Sequence, residues 1–192
     1  RLLPSDPALP GILAAGAKVE KLAGGFTFVE GPAWDFRNKA LYFSDIPKNQ
    51  ILRYADGKAN VANDDSGQSN GLMFDKEGLL IRCEHKGRQV SRGVSEKPGD
   101  TIVAEYNGKK LNSPNDLWID TAGGIYFTDP RYGSRDSMEL DKEAVYYITP
   151  DKSITRIIDD LVRPNGIALS PDGKVLYIID NGAGTLHRYP VQ

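Results

Sequence analysis

Apolar and polar positions alternate along this chain in short runs bounded by glycine, proline and asparagine, and the runs recur as pairs. Gly71-Leu-Met-Phe, Leu117-Trp-Ile and Ile167-Ala-Leu each precede a turn, and the more apolar Leu41-Tyr-Phe, Ile125-Tyr-Phe and Leu176-Tyr-Ile-Ile each follow one. Period-two runs of this length predict strands rather than helices. Gly78, Gly123 and Gly173 each lie eight residues after an asparagine, in Glu-Gly, Gly-Gly and Asp-Gly pairs that favour tight hairpins. Asn38 takes the same offset in the first pair and is expected to adopt the left-handed conformation there. Further strands are predicted at 50–54, 89–92, 145–149, 154–158 and 185–189, and no amphipathic helix of a dozen residues stands out.

These pairs belong to a longer repeat. Glu30, Asn70, Asn115 and Asn165 open four units spaced 40, 45 and 50 residues apart, and Asp45, Glu84, Asp129 and Asp180 close them 14 or 15 residues later. Such a period with about four antiparallel strands per unit predicts an all-β fold, a β-propeller whose blades bring the four opening residues to one axis. Residues 1–17, rich in proline and glycine, read as an extended lead-in, and 18–192 as a single propeller domain. Residues 18–22 are expected to form an outer strand lent to a final blade, as in rings fastened by their own terminus. Because no such blade follows Tyr189, about four blades of a longer ring are expected here, leaving the domain C-terminally incomplete and its last blade with an open apolar face.

A formal charge of -2, without a dense basic cluster, gives no electrostatic footprint for nucleic acid. No apolar run approaches a membrane span, and no signal peptide opens the chain. The start at Arg1 is compatible with a soluble protein exported after loss of its signal, with a cytoplasmic one as the alternative. Cys83 is the only cysteine, so thiolate-rich metal sites and internal disulfides are excluded.

Glu30, Asn115 and Asn165 start innermost strands beside proline or glycine, where a propeller lines the mouth of its channel. One carboxylate and two amide oxygens form the donor set of a hard divalent cation, most naturally Ca2+. Asn70 follows a serine and is assigned to a supporting or substrate contact; Asp45, Asp129 and Asp180 recur too regularly for catalysis and are assigned to turn hydrogen bonds. His85, beside Glu84, is read as a satisfied structural histidine, with an acid or base near neutral pH as the alternative, whereas His187 on an outer strand is inert. Arg131, Tyr132 and Arg135 leave the third unit in a loop that could meet a polyhydroxylated ligand. No Gly-x-Ser-x-Gly elbow or phosphate-binding glycine loop is present, which leaves metal-centred hydrolysis.

Glu30-Gly-Pro-Ala-Trp, Ser-Asn70-Gly-Leu, Arg82-Cys-Glu-His-Lys-Gly-Arg-Gln-Val, Leu111-Asn-Ser-Pro-Asn-Asp, Tyr126-Phe-Thr-Asp-Pro-Arg-Tyr-Gly and Arg163-Pro-Asn-Gly resemble the gluconolactonase family that includes regucalcin, or senescence marker protein. The resemblance runs from about Lys18 to the end. It implies a six-bladed propeller holding one divalent cation, usually Ca2+ with Zn2+, Mn2+ or Mg2+ as alternatives, and a lactonase that opens sugar lactones such as gluconolactone. Carried over by position, Glu30 and Asn165 are metal ligands and Asn115 is a ligand or substrate contact; Asn70, His85 and Arg131 are expected to face the substrate from their own places in the repeat rather than by that carry-over. The family's further ligand and candidate general base, an aspartate, belongs beyond Gln192, so residues 1–192 alone are expected to be inactive. Organophosphate hydrolysis at the same site and a non-catalytic calcium-binding or interaction propeller are the alternatives. The implied partner is a small lactone, with no nucleic acid or membrane.

Overall fold

The structure is a computed structural model and describes residues 18–191. Four antiparallel sheets follow one another along the chain. The first contains β1 (Val29–Asp35), β2 (Ala40–Asp45), β3 (Gln50–Ala55) and β4 (Lys58–Asn63), and the second β5 (Ser69–Phe74), β6 (Leu80–Glu84), β7 (Gln89–Gly93) and β8 (Asp100–Val103). A short hairpin of β9 (Glu105–Tyr106) and β10 (Lys109–Lys110) precedes the third sheet, which contains β11 (Leu117–Ile119), β12 (Ile125–Asp129), β13 (Ala144–Ile148) and β14 (Ile154–Ile158). The fourth has three strands, β15 (Pro164–Leu169), β16 (Val175–Asp180) and β17 (Thr185–Pro190). Every sheet is a meander in sequence order, the topology of a propeller blade. The only helical element among the described residues is a single 3-10 turn, Ile46–Lys48.

Alternation along each strand packs the blades face to face, because successive side chains point to opposite sides of a sheet. In β6, Leu80 joins Tyr42 and Ile51 of the first blade, whereas Ile81 and Cys83 join Phe127, Tyr146 and Ile148 of the third. In β13, Tyr146 faces the second blade and Val145 faces Ile167, Leu176 and Ile178 of the fourth. Three apolar seams therefore weld four blades in sequence. The two outermost faces are partly bare: on the fourth blade Ile179 is 50% and Leu186 68% exposed.

The turns account for the two spacings in the sequence. In the second and third blades Asp75 bonds Leu79 and Asp120 bonds Gly124 across three residues, 76–78 and 121–123. In the first and fourth, Asp35 pairs with Ala40, and Ser170 bonds Val175, across four. The extra residue makes 15 of 14. Gly78, Gly123 and Gly173 have φ of 82°, 91° and 73°, as a left-handed turn position requires. In the first blade it is Lys39, with φ 49°, and not Asn38 that takes this conformation; the fourth blade, with an equally long turn, keeps it at Gly173, so turn length alone does not set the place.

Residues 18–22 form no strand, contrary to expectation. They make no ladder bonds; Leu22 and Phe26 instead line an apolar groove with Leu41, Phe43 and Tyr54 on the outer face of the first blade. Phe26 meets Phe43 edge to face at 5.1 Å, and Lys48 Nζ donates to Gly25 O at 2.9 Å. A strand exists only where an edge offers it backbone partners, and this segment meets side chains. The lead-in 1–17 lies outside the described residues.

Candidate functional site

The first strands of the four blades, β1, β5, β11 and β15, surround a channel of about 520 Å³, and Glu30, Asn70, Asn115 and Asn165 all line it. Three of the four strands enter through an irregular step in pairing, between Glu30 and Ala33, Ser69 and Leu72, and Pro164 and Ile167, whereas β11 pairs regularly from Leu117. That step aims the opening side chain along the mouth instead of into a seam. The residue after the opening one is glycine in three blades, and in the first two the backbones nearly touch: a Cβ on Gly31 would stand 1.9 Å from Asn70 O and one on Gly71 2.8 Å from Asn115 O, whereas one on Gly166 would meet only side chains.

Hydroxyl and amide donors fix the entry backbone of each blade to its neighbour. Ser44 Oγ donates to Asn70 O at 2.9 Å, Gly71 N to Asn115 O at 2.7 Å, and Thr128 Oγ1 to Asn165 O at 2.6 Å. Asp45, Asp129 and Asp180 do the turn work assigned to them: each carboxylate accepts the N–H groups of two successive residues at its blade entrance. Glu84 replaces this arrangement in the second blade, taking bonds from Gln89 Nε2 at 2.7 Å and from Ser91 Oγ.

The carboxamides at the mouth have assigned ends. Asn70 Nδ2 and Asn115 Nδ2 lie 3.5 and 3.4 Å from His85 Nε2, and Asn165 Nδ2 donates to the Tyr132 hydroxyl at 2.7 Å. Each amide nitrogen thus has a partner, while the three Oδ1 atoms accept no hydrogen bond from the described residues. Two donors converging on Nε2 require that nitrogen to be unprotonated, so the neutral ring carries its proton on Nδ1. Burial, reinforced by the Arg131 charge, agrees by pulling the His85 pKa down to about 4.

Asp116 is the residue that sequence reasoning passed over. It occupies the place that Gly31, Gly71 and Gly166 hold in the other blades, a signal visible once the units are aligned. Its carboxylate lines the channel, accepting Leu117 N at 2.9 Å and Ile167 N of the fourth blade at 3.2 Å. Burial raises its pKa and the Glu30 charge adds to this, against the lowering by those two N–H groups. Asn181 was also missed; its Nδ2 reaches the Tyr132 hydroxyl at 3.3 Å.

Arg131 is placed differently from a substrate arm. Its guanidinium bonds Ser134 O, Asn112 O and Ser137 Oγ at 2.8, 2.7 and 2.6 Å, which closes the loop that carries Tyr132. His187 pairs with Thr185 Oγ1 at 2.8 Å on the outermost strand. Among the described residues, no three His, Cys, Asp or Glu side chains cluster for a metal. A cation at this mouth would therefore depend on amide oxygens beside Glu30. An unpaired carboxylate with three unpaired amide oxygens fits a hard cation in its donor chemistry.

Residues 28–192 match the family model for the SMP-30/Gluconolactonase/LRE-like region. The chain is 31% identical over 193 residues to a gluconolactonase of Zymomonas mobilis, covering 90% of this chain and 54% of that protein. It is 43% identical over 186 residues to the lactonase drp35 of Staphylococcus aureus, covering 85% and 51%. A solved gluconolactonase structure from Xanthomonas campestris superposes with a TM-score of 0.83 at 35% identity, covering 89% of this chain and 61% of that one. The chain thus spans about half the length of the curated relatives it matches. By the span of the family match and by its blades, the chain belongs to the SMP-30/gluconolactonase/LRE-like family.

Proposed function

We propose that this chain supplies the mouth of a metal-dependent lactonase that opens sugar lactones such as gluconolactone. The carrying observation is the amide arrangement: His85 and Tyr132 engage the nitrogens of Asn70, Asn115 and Asn165, leaving three oxygens and the Glu30 carboxylate free in one channel. Lactonase relatives of 31% and 43% identity supply the reaction class.

In this reading Glu30, Asn115 and Asn165 hold the cation, Ca2+ by preference, and Asn70 supports the site or the substrate. When bound, the cation would polarise the ester carbonyl and stabilise developing negative charge. The chain's own groups position and enclose. His85, neutral and already accepting at Nε2, orients two amides and is not disposed to take a proton there. Asp116, with both oxygens bonded to backbone N–H groups, holds the third blade to the fourth. Arg131 serves the substrate indirectly by holding its loop. Water adds to the carbonyl carbon and the ring C–O bond breaks, giving a hydroxy acid and one released proton.

Proton release from gluconolactone, followed in weak buffer before and after chelation, tests the reading. Removal of the metal should abolish turnover and Ca2+ restore it, and Glu30→Gln or Asn165→Ala should each lower kcat/KM at least about 100-fold. Full activity in the chelated enzyme would overturn the metal mechanism.

A further inference from the structure

The Tyr132 hydroxyl has one proton to donate and two lone pairs with which to accept. Both lone pairs have takers, Asn165 Nδ2 at 2.7 Å and Asn181 Nδ2 at 3.3 Å. Its proton has none among the described residues. The ring itself is held from several directions: the Arg163 guanidinium carbon lies 5.5 Å from its centroid, and the His85 ring stacks on it at 6.3 Å with an interplanar angle of 27°. Its backbone N–H donates to Ser113 Oγ at 3.4 Å, and Ser113 Oγ donates in turn to Pro130 O at 2.6 Å.

This is more apparatus than a tyrosine needs to fill space. Two amides saturate the oxygen as an acceptor, so the O–H bond is turned away from both and remains a donor beside Asn165. We propose that Tyr132 is a catalytic hydrogen-bond donor to an oxygen of the lactone ester group, with Asn165 and Asn181 setting the direction of its proton. The inference rests on the lactonase reading above and goes beyond it, because it gives the reaction a donor that is independent of any cation. A fixed donor aimed at the carbonyl oxygen strengthens its bond as negative charge grows there, and removing one such donor typically lowers kcat by about 10² to 10³. It also gives Asn165 two tasks on opposite ends of one amide, its oxygen toward the channel and its nitrogen toward the phenol.

The test uses the protein as its gene encodes it, with Tyr132→Phe, Asn181→Ala and Asn165→Ala beside the wild type. Calorimetry measures affinity for Ca2+ and for the lactam of the same sugar ring, which offers the carbonyl but resists opening. Stopped-flow proton release gives kcat and KM at saturating Ca2+. Tyr132→Phe should bind Ca2+ within about threefold of wild type, bind the lactam about tenfold more weakly, and lose about 100-fold or more in kcat. Asn181→Ala, altered at an exposed residue, should fold normally and lose about tenfold in kcat, because one of the two groups aiming the proton remains. Unchanged kcat and lactam affinity in Tyr132→Phe would overturn the proposal. So would a Tyr132→Phe protein that loses Ca2+ affinity as Asn165→Ala does and regains full turnover when Ca2+ saturates it, for then the phenol only positions a ligand. A wild type that neither binds the lactam nor opens lactones would instead overturn the parent reading, and the proposal with it.

Discussion

The third and fourth blades start from one plan and end with different chemistry. Each opens on Pro-Asn, turns on a glycine and closes on an aspartate that accepts two N–H groups from the entrance to its own blade. The third lies between two neighbours and the fourth packs against one. Asp180 is buried, which pushes its pKa up, but N–H groups of Val162, Arg163, Ala183 and Gly182 bring it below the ordinary value. Asp129 has only Asn112 and Ser113 for the same task and is fully buried. Burial there wins and raises its pKa to about 7. One residue earlier, Thr128 bonds the next blade's Asn165, whereas Ile179 lies half exposed. The repeat sets the geometry, and the neighbours decide what the geometry does.

The largest consequence is a dependence of stability on pH that the two aspartates drive in opposite directions. A carboxyl whose pKa is raised on folding binds its proton more tightly in the native state, so its contribution is complete below the unfolded value near 3.8 and disappears as pH rises through the folded value of about 7. For Asp129 this amounts to about 4 kcal/mol between pH 4 and 8. Asp180, with its pKa lowered, stabilises above the unfolded value and ceases to do so as pH falls through its own. Because His85, with its pKa lowered to about 4, pushes stability the other way over the same interval, the readout is the difference between wild type and Asp129→Asn: the wild-type advantage in urea midpoint should shrink from pH 5 to pH 8. A difference that stays constant or grows over that interval would show that the two N–H bonds outweigh burial at Asp129 and that the two closing acids are alike after all.

The same contrast marks how far the sequence could be read. Period, turns, closing acids and opening residues are local, and they are written in residue types that only a particular backbone tolerates. They predict four blades with the turns in place. What neighbours decide was harder to read. Asp116 was given no role beside Asn115, and its place follows from a fourth-blade N–H 51 positions away. Arg131 looked like a charged arm, but three oxygen acceptors of its own surroundings consume its guanidinium. Residues 18–22 had the composition of a strand, and strand formation depends on an edge that composition does not report. The hairpin Glu105–Tyr106 with Lys109–Lys110 is two residues per arm, too short to leave any periodicity.

A second and smaller effect isolates the seam. Thr128→Val preserves shape while leaving Asn165 O without its hydroxyl partner in a buried place, and an orphaned buried acceptor costs about 1 to 3 kcal/mol. Thr128→Ser keeps the hydroxyl and should recover most of that loss. Ile179→Thr, at the equivalent position of the fourth blade, should alter stability by no more than about 0.5 kcal/mol, since it touches no seam. Equal losses from Thr128→Val and Ile179→Thr in denaturant unfolding would mean that the fourth blade's outer face is covered in solution.

The smallest expected difference is zero, and it is the control on the whole comparison. Gly123 and Gly173 occupy corresponding turns with φ of 91° and 73°, and a Cβ on either would meet nothing within 4 Å. Alanine at these positions suffers only the backbone penalty of the left-handed region, about 1 to 2 kcal/mol, partly offset by the lower entropy of its unfolded chain. Neighbouring blades play no part in that penalty, so Gly123→Ala and Gly173→Ala should destabilise equally, by about 1 kcal/mol, when urea midpoints are compared at one pH. If the third-blade variant were clearly the worse, burial by neighbours would extend to the turns as well as to the closing acids. The division between a geometry fixed by the repeat and a chemistry fixed by the flanks would then fail at its simplest point.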